Sequence, residues 1–224
     1  EQTQGPTVQE EIERALAAVT QEEIRIIGAG RTDTGVHAQG QVIAFSAAWW
    51  HSFEELQQAL NAVLPEEIAV RELRPVVDDF HPRFDAASRW YRYTILNQPL
   101  RSPLARRFAY HFPRPLDVAA MNEAAGVLVG SHDLASFGRA PQGDNTVRQV
   151  YRAQFILEEP FVYFDIEANA FLYRMVRRLV GTLLLVGTGE LSVDGFKEIL
   201  QSADIDRAGQ AVPAHGLCLM KVNY

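Results

Sequence analysis

Apolar residues along the chain recur with two periods, and these mark out its elements. Val8, Ile12, Leu16 and Val19 repeat at helical spacing behind Thr7, and Glu10 three residues on completes a capping box, so a first helix is predicted. Ser52 and Glu55 repeat the device ahead of Leu56, Leu60 and Val63, and Pro65 closes this second helix. Between the two, residues 24–27 read as a strand ended by Gly28 and Gly30, with 41–45 as the returning strand. Residues 68–76 read as a third strand.

Further along, the period becomes two. Arg89, Tyr91, Tyr93 and Ile95 share one face of a strand, and Trp90, Arg92, Thr94 and Leu96 share the other. A helix is predicted over 117–129, stopped by Gly130. Runs 147–157 and 161–168 alternate on either side of Glu158-Glu159-Pro160, a hairpin signal. Helical spacing returns over 171–186, another helix starts at Ser192, and 217–222 alternates as a last strand. Strands and helices mix without strict βαβ alternation, which predicts an α+β fold. Its two halves are loosely similar in order. The expected architecture is two related sub-domains, 1–78 and 79–224, sharing a largely antiparallel mixed sheet flanked by helices, with the boundary near Asp78-Asp79.

Composition sharpens this. With 47% hydrophobic residues in 224, the chain has ample material for a core and is not a disordered segment. Its formal charge of −7 argues at first against a nucleic-acid ligand. Yet nineteen of the 21 basic residues are Arg, the side chain suited to planar, bidentate contact with phosphate, and only Lys197 and Lys221 are Lys. Residues 71–115 hold nine Arg against four acids, a local +5 that leaves −12 for the rest. An acidic protein with a basic surface is the consequence. Cys218 stands alone and no CxxC or HExxH occurs, so neither an internal disulfide nor a zinc site is expected. The opening Glu1-Gln2-Thr3-Gln4-Gly5-Pro6 lacks the basic and apolar regions of a signal peptide, and the most apolar stretch, 179–186, falls far short of the ~20 residues of a bilayer span. A soluble, cytoplasmic protein without membrane attachment is expected.

Chemistry concentrates in Ile26-Ile27-Gly28-Ala29-Gly30-Arg31-Thr32-Asp33-Thr34-Gly35-Val36-His37-Ala38. Gly28-x-Gly30 after a strand suggests a dinucleotide loop, but the third glycine of that fingerprint falls on Asp33 and no helix pattern follows. What remains is a glycine-flanked loop carrying Arg31 and Asp33 at i and i+2, on one side of extended chain. A turn aspartate bonding backbone amides is the ordinary alternative.

Arg-Thr-Asp-Thr-Gly-Val-His-Ala resembles the Arg-Thr-Asp-Ala-Gly-Val-His signature of the TruA family of tRNA pseudouridine synthases, with Thr34 replacing the commoner Ala. Four more blocks in order are similar to that family: Asp79-Phe80-His81-Pro82-Arg83-Phe84 with Arg89-Trp90-Tyr91-Arg92-Tyr93; Gly130-Ser131-His132-Asp133-Leu134; Ala168-Asn169-Ala170-Phe171 through Met175-Val176-Arg177 and Val180-Gly181-Thr182; and Ala214-His215-Gly216-Leu217. The family's opening strand, with Tyr-Asp-Gly and Gly-Trp-Gln, precedes the first residue here.

The resemblance implies a pseudouridine synthase fold with its active site in the cleft between the sub-domains, and isomerisation of uridine to pseudouridine in the anticodon stem-loop of tRNA, at positions 38–40. It implies no metal or organic cofactor, tRNA as partner and a homodimer. Asp33 becomes the catalytic nucleophile, attacking uracil or ribose or stabilising charge on the ribose. Arg177 becomes its cationic partner, and Tyr91 the tyrosine that stacks on the uracil or accepts a proton. Arg31 becomes the residue that fills the vacancy left by the flipped base. Arg83, Arg89, Arg106 and Arg107, with Arg92 and Arg101, supply the basic surface for an RNA backbone. On helical spacing alone, Arg174 and Arg178 share an outer face while Arg177, after the core-like Val176, points inward. His37, His81 and His132 are expected to be structural. The alternative reading is a non-catalytic RNA-binding α+β module, which gives Asp33 no role because a carboxylate repels phosphate-rich RNA.

Overall fold

A computed structural model describes residues 7–224; the polar opening, 1–6, lies outside them, and with it the signal-peptide reading. In chain order the described residues form α1 (Val8–Thr20), β1 (Ile27–Gly28), β2 (His37–Ala38), β3 (Ile43–Ala44), α2 (Phe53–Val63), β4 (Ser88–Leu96), β5 (Tyr110–His111), α3 (Val118–Gly126), β6 (Gly130–Asp133), β7 (Val147–Glu158), β8 (Phe161–Ala168), α4 (Met175–Gly187), α5 (Val193–Ser202) and β9 (Leu217–Asn223). Two compact units emerge: the described residues up to Gly30 with Val42–Asp85, and Arg31–Gln41 with Ala86–Tyr224. The division falls at Asp85, seven residues beyond the expected 78, and the Arg31–Gln41 loop belongs to the later unit.

In the first unit both predicted capping boxes form. Thr7 Oγ1 accepts from the Glu10 amide at 3.1 Å while Glu10 Oε2 accepts from the Thr7 amide at 2.7 Å, and Ser52 and Glu55 do the same for α2 at 3.2 and 2.9 Å. The helices pack Ile12, Leu16, Leu56 and Leu60 around Ile24 and Ile26. β1 and β3 make a short antiparallel pair of their own. Residues 68–76 do not form the expected strand. Asn61 and Gln57 of α2 take their backbone instead: Asn61 exchanges two hydrogen bonds with Val70, at 2.7 and 2.8 Å, and Gln57 donates to the carbonyls of Val70 and Arg71. Side-chain amides here do the work of a neighbouring strand.

The second unit holds a seven-stranded mixed sheet, ordered β2-β9-β4-β8-β7-β6, with β5 alongside β4. Its long ladders are antiparallel, as expected, and only the two-residue β2 and β5 pair in parallel. α3, α4 and α5 cover one face, burying Leu179, Leu183 and Phe196 against Tyr93, Ile95, Phe164 and Ile166. Each fully buried side chain of that size contributes roughly 1.5–3 kcal/mol relative to exposure. This core fixes α4, and α4 carries Arg177.

Two helix limits differ from expectation. α3 ends at Gly126, and Gly130 opens the edge strand β6 rather than stopping a helix. α4 begins at Met175, not 171, because Arg174 takes a left-handed backbone (φ 61°) and the Tyr173 amide donates to the Arg139 carbonyl at 2.9 Å. Among the described residues no helix is long and apolar enough to cross a membrane.

Candidate active site

The loop after β1 reaches Asp33 through a turn that its own sequence dictates. The Val36 amide donates to the Asp33 carbonyl at 3.0 Å, and Gly35 supplies the positive φ of 82° that closes such a turn without strain. Beyond the turn, β2 ladders onto β9 with His37 opposite Cys218, and the amides of Gln39 and Gly40 donate to the Leu219 carbonyl at 2.8 and 3.2 Å. The loop is thus pinned to the sheet that α4 covers.

Arg177 meets it from α4. Its Nη1 donates to Asp33 Oδ2 at 2.8 Å, in a pair whose side chains are 15% and 22% exposed. Its Nε donates to the Val212 carbonyl at 2.7 Å, and the Val212 amide donates to the Arg177 carbonyl at 3.1 Å. Two fixed contacts on one guanidinium leave little freedom to the carboxylate it holds. The segment before Val212 is itself clamped to α4: the Gly209 amide donates to Thr182 Oγ1 at 2.9 Å, and Gly181 and Gly209 approach so closely that a Cβ on either would strike backbone. Thr182 is fully buried and donates to the Arg178 carbonyl at 2.9 Å.

Tyr91 lies on β4 with its ring edge-on to Phe171, centroids 4.8 Å apart and planes at 72°. Burial pushes its phenol up to about 12; Arg89 opposes the rise, and Asp33 and Cys218 add to it. The hydroxyl stays protonated at neutral pH. Tyr93, the next residue on that face, is a core residue whose hydroxyl donates to the Pro213 carbonyl at 2.8 Å.

The arginines divide by what they touch. Arg89 donates from Nη1 to the carbonyls of Asn169, at 2.8 Å, and Ala86, at 3.3 Å, which steadies the loop bearing Phe171. Arg92 forms a two-pronged pair with the buried Asp165, 2.7 and 2.8 Å, and lies over the rings of Trp90 and Tyr163. Arg31, Arg101, Arg106 and Arg107 are exposed. In the first unit Arg83 is exposed, 5.7 Å over the Phe84 ring. Arg178 is half-buried, and Arg174 is exposed just ahead of α4.

The histidines bond locally. His37 Nε2 contacts the Arg107 carbonyl at 2.7 Å, tying the Asp33 loop to the basic 105–108 turn, while the His81 ring accepts from the amides of Arg83 and Phe84. His132 Nε2 lies 3.3 Å from the Val129 carbonyl. A groove of about 830 Å³ in the second unit is lined by Arg101, Arg106, Tyr110, His111, Pro213 and His215 among others. Among the described residues no group of His, Cys, Asp and Glu could hold a metal ion.

A half-buried carboxylate fixed by one arginine, with a neutral phenol close enough to feel its charge, has the make-up of a nucleophile or of a group that stabilises developing positive charge. Sequence reasoning missed the Val212, Thr182 and Gly209 contacts. Thr182 stands in the Val180-Gly181-Thr182 run, where spacing gives it no role, and nothing in the spacing marks Val212.

Comparison with known proteins bears on this arrangement. The family described as tRNA pseudouridine synthase matches residues 1–85 and 124–224. A protein named tRNA pseudouridine synthase A from Moorella thermoacetica is 46% identical over 221 residues, covering 98% of this chain and 90% of its own. Proteins of the same name from Roseiflexus castenholzii and Thermoanaerobacter sp. are 47% and 42% identical, each over the whole of this chain and over 84% and 92% of their own.

Proposed function

The chain belongs to the tRNA pseudouridine synthase family, isomerases that convert uridine to pseudouridine in tRNA, and on that premise we propose that Asp33 carries the reaction. The observation that carries the reading is the 2.8 Å pair between Asp33 and Arg177. In the isomerisation the N1–C1′ bond of uridine breaks, a C5–C1′ bond forms, C5 gives up its proton and N1 takes one. Atoms and electrons balance within the substrate, so the reaction itself calls for no redox partner or group donor.

Arg177 engages Oδ2, so in this reading Oδ1 faces the substrate. The carboxylate is the group placed to attack or to stabilise positive charge on the ribose. Tyr91 supplies the ring against which the uracil lies, and as a neutral phenol it acts there without a charge of its own. Arg31, exposed two residues from Asp33, fills the stack that the flipped uridine vacates, an extrusion that costs a few kcal/mol. Arg83, Arg106 and Arg107 hold RNA phosphates, and Arg89 adds its charge while keeping the Asn169 loop in place.

The substrate is the anticodon stem-loop, at uridines 38–40, gripped by a homodimer. The experiment is release of tritium from C5-labelled uridine in tRNA by the purified chain, with mapping of the pseudouridines formed. Pseudouridine at 38–40 is the expected result; release without product at those positions would overturn the positional assignment.

A further inference from the structure

Ahead of α4 the chain takes a costly backbone conformation that its neighbours hold in place. Arg174 is not glycine, yet it holds φ 61° and ψ 12°, a conformation that L side chains rarely adopt and that marks functional segments when neighbours enforce it. Its neighbours do enforce it. Tyr173 bridges to Arg139 through the 2.9 Å amide contact, and Leu172 before it and Met175 after Arg174 are both buried. The result lifts the Arg174 guanidinium to 4.9 Å over the ring of Tyr173, which is itself 53% exposed.

This exposed pair is close along the chain to residues of the site. Phe171, which contacts Tyr91, is two residues from Tyr173, a span of at most about 7 Å. Arg174 precedes Arg177 by three residues, roughly one helical turn. A ring with one face open and a guanidinium stacked on it offers a base something to stack on and a phosphate something to bond. Unpaired RNA is recognised in this way, by aromatic faces and guanidinium planes. Arg139, also exposed, adds charge of the same sign next to it.

We propose that Tyr173 and Arg174 form a stacking platform for an unpaired nucleotide of the substrate RNA flanking the target uridine. The assignment rests on the synthase reading given above and extends its RNA contacts to a pair outside the basic 71–115 segment.

The test is direct binding of an anticodon stem-loop RNA across a salt series, in Asp33→Asn protein so that turnover does not intervene. Arg174→Gly is the informative variant because glycine adopts the left-handed backbone freely, so its melting temperature should hold or rise. Its binding should weaken and its log–log salt slope should flatten by about 0.7 to 1. Tyr173→Leu keeps the apolar bulk and should raise Kd about fivefold or more, with the salt slope retained. Parent affinity and slope in both variants would overturn the proposal, as would weakened binding accompanied by a lowered melting temperature in Arg174→Gly. Turnover by the Asp33→Asn background would refute the synthase mechanism while the binding comparison still stands on its own.

Discussion

Arg177 Nη1 donates to Asp33 Oδ2 over 2.8 Å, joining two residues 144 positions apart, and Nε of the same guanidinium donates to the Val212 carbonyl. The first contact fixes one carboxylate oxygen and the second fixes the cation. Arg177→Ala leaves a half-buried carboxylate without its charge-assisted hydrogen bond, an interaction worth roughly 1.5–3 kcal/mol. The expected outcome is a single-turnover rate at saturating tRNA lower by about ten- to a hundredfold. Arg177→Lys, able to reach only one of the two partners, should fall between. An unchanged rate in Arg177→Ala would remove the residue from the reaction.

Thr182 and Gly209 act one step behind. The Gly209 amide on Thr182 Oγ1 holds the segment whose Val212 carbonyl accepts from Arg177. Thr182→Val keeps the shape and orphans that amide, at a cost of about 1–3 kcal/mol. Thermal unfolding should register the loss, and kcat should fall several-fold with KM little changed. Thr182→Ser retains the hydroxyl and should restore kcat. If Thr182→Val is destabilised but turns over normally, Val212 keeps its place without the clamp.

Tyr91 gives the chain an alkaline limit. Its phenol is raised from about 10 to about 12 by burial, so the folded state favours the neutral form. The associated stability is complete below pH 10 and is lost as pH climbs through 12, amounting to ~2–3 kcal/mol. Burial raises Tyr93 as well, and it adds to the loss in the same direction. Denaturant unfolding at pH 9 and pH 12 should show the decline in the parent and a smaller one in Tyr91→Phe. Equal declines would assign the alkaline loss to other groups.

Arg106 and Arg107 are exposed on the turn whose Arg107 carbonyl contacts His37. Replacing both with Ala should weaken tRNA binding and reduce the log–log salt slope by roughly 1.4 to 2, the share of two phosphate contacts. Filter binding between 50 and 200 mM salt reads this directly. A parental slope would locate the phosphates elsewhere on the chain.

What the sequence made legible was local. The capping boxes of Thr7 with Glu10 and Ser52 with Glu55 announce their helices because both partners lie within one turn. The alternation of β4, β7 and β8 is visible because one face is apolar. The extended 68–76 run misleads because Asn61 and Gln57, rather than a strand, satisfy its backbone, and β2 and β5 are too short to show a period. The Asp33–Arg177 pair has no signature in spacing at all; only the matched motifs link the two residues. The net charge misled in the same way, by averaging an arginine-rich segment into an acidic whole.

The role of Asp33 is tested most directly by Asp33→Asn, which keeps the size and removes the ionised oxygen. Tritium release from C5-labelled uridine in tRNA should disappear while tRNA affinity stays within about threefold of the parent, less than the ~1.4 kcal/mol that a tenfold change represents. Retained release in the variant would contradict the account.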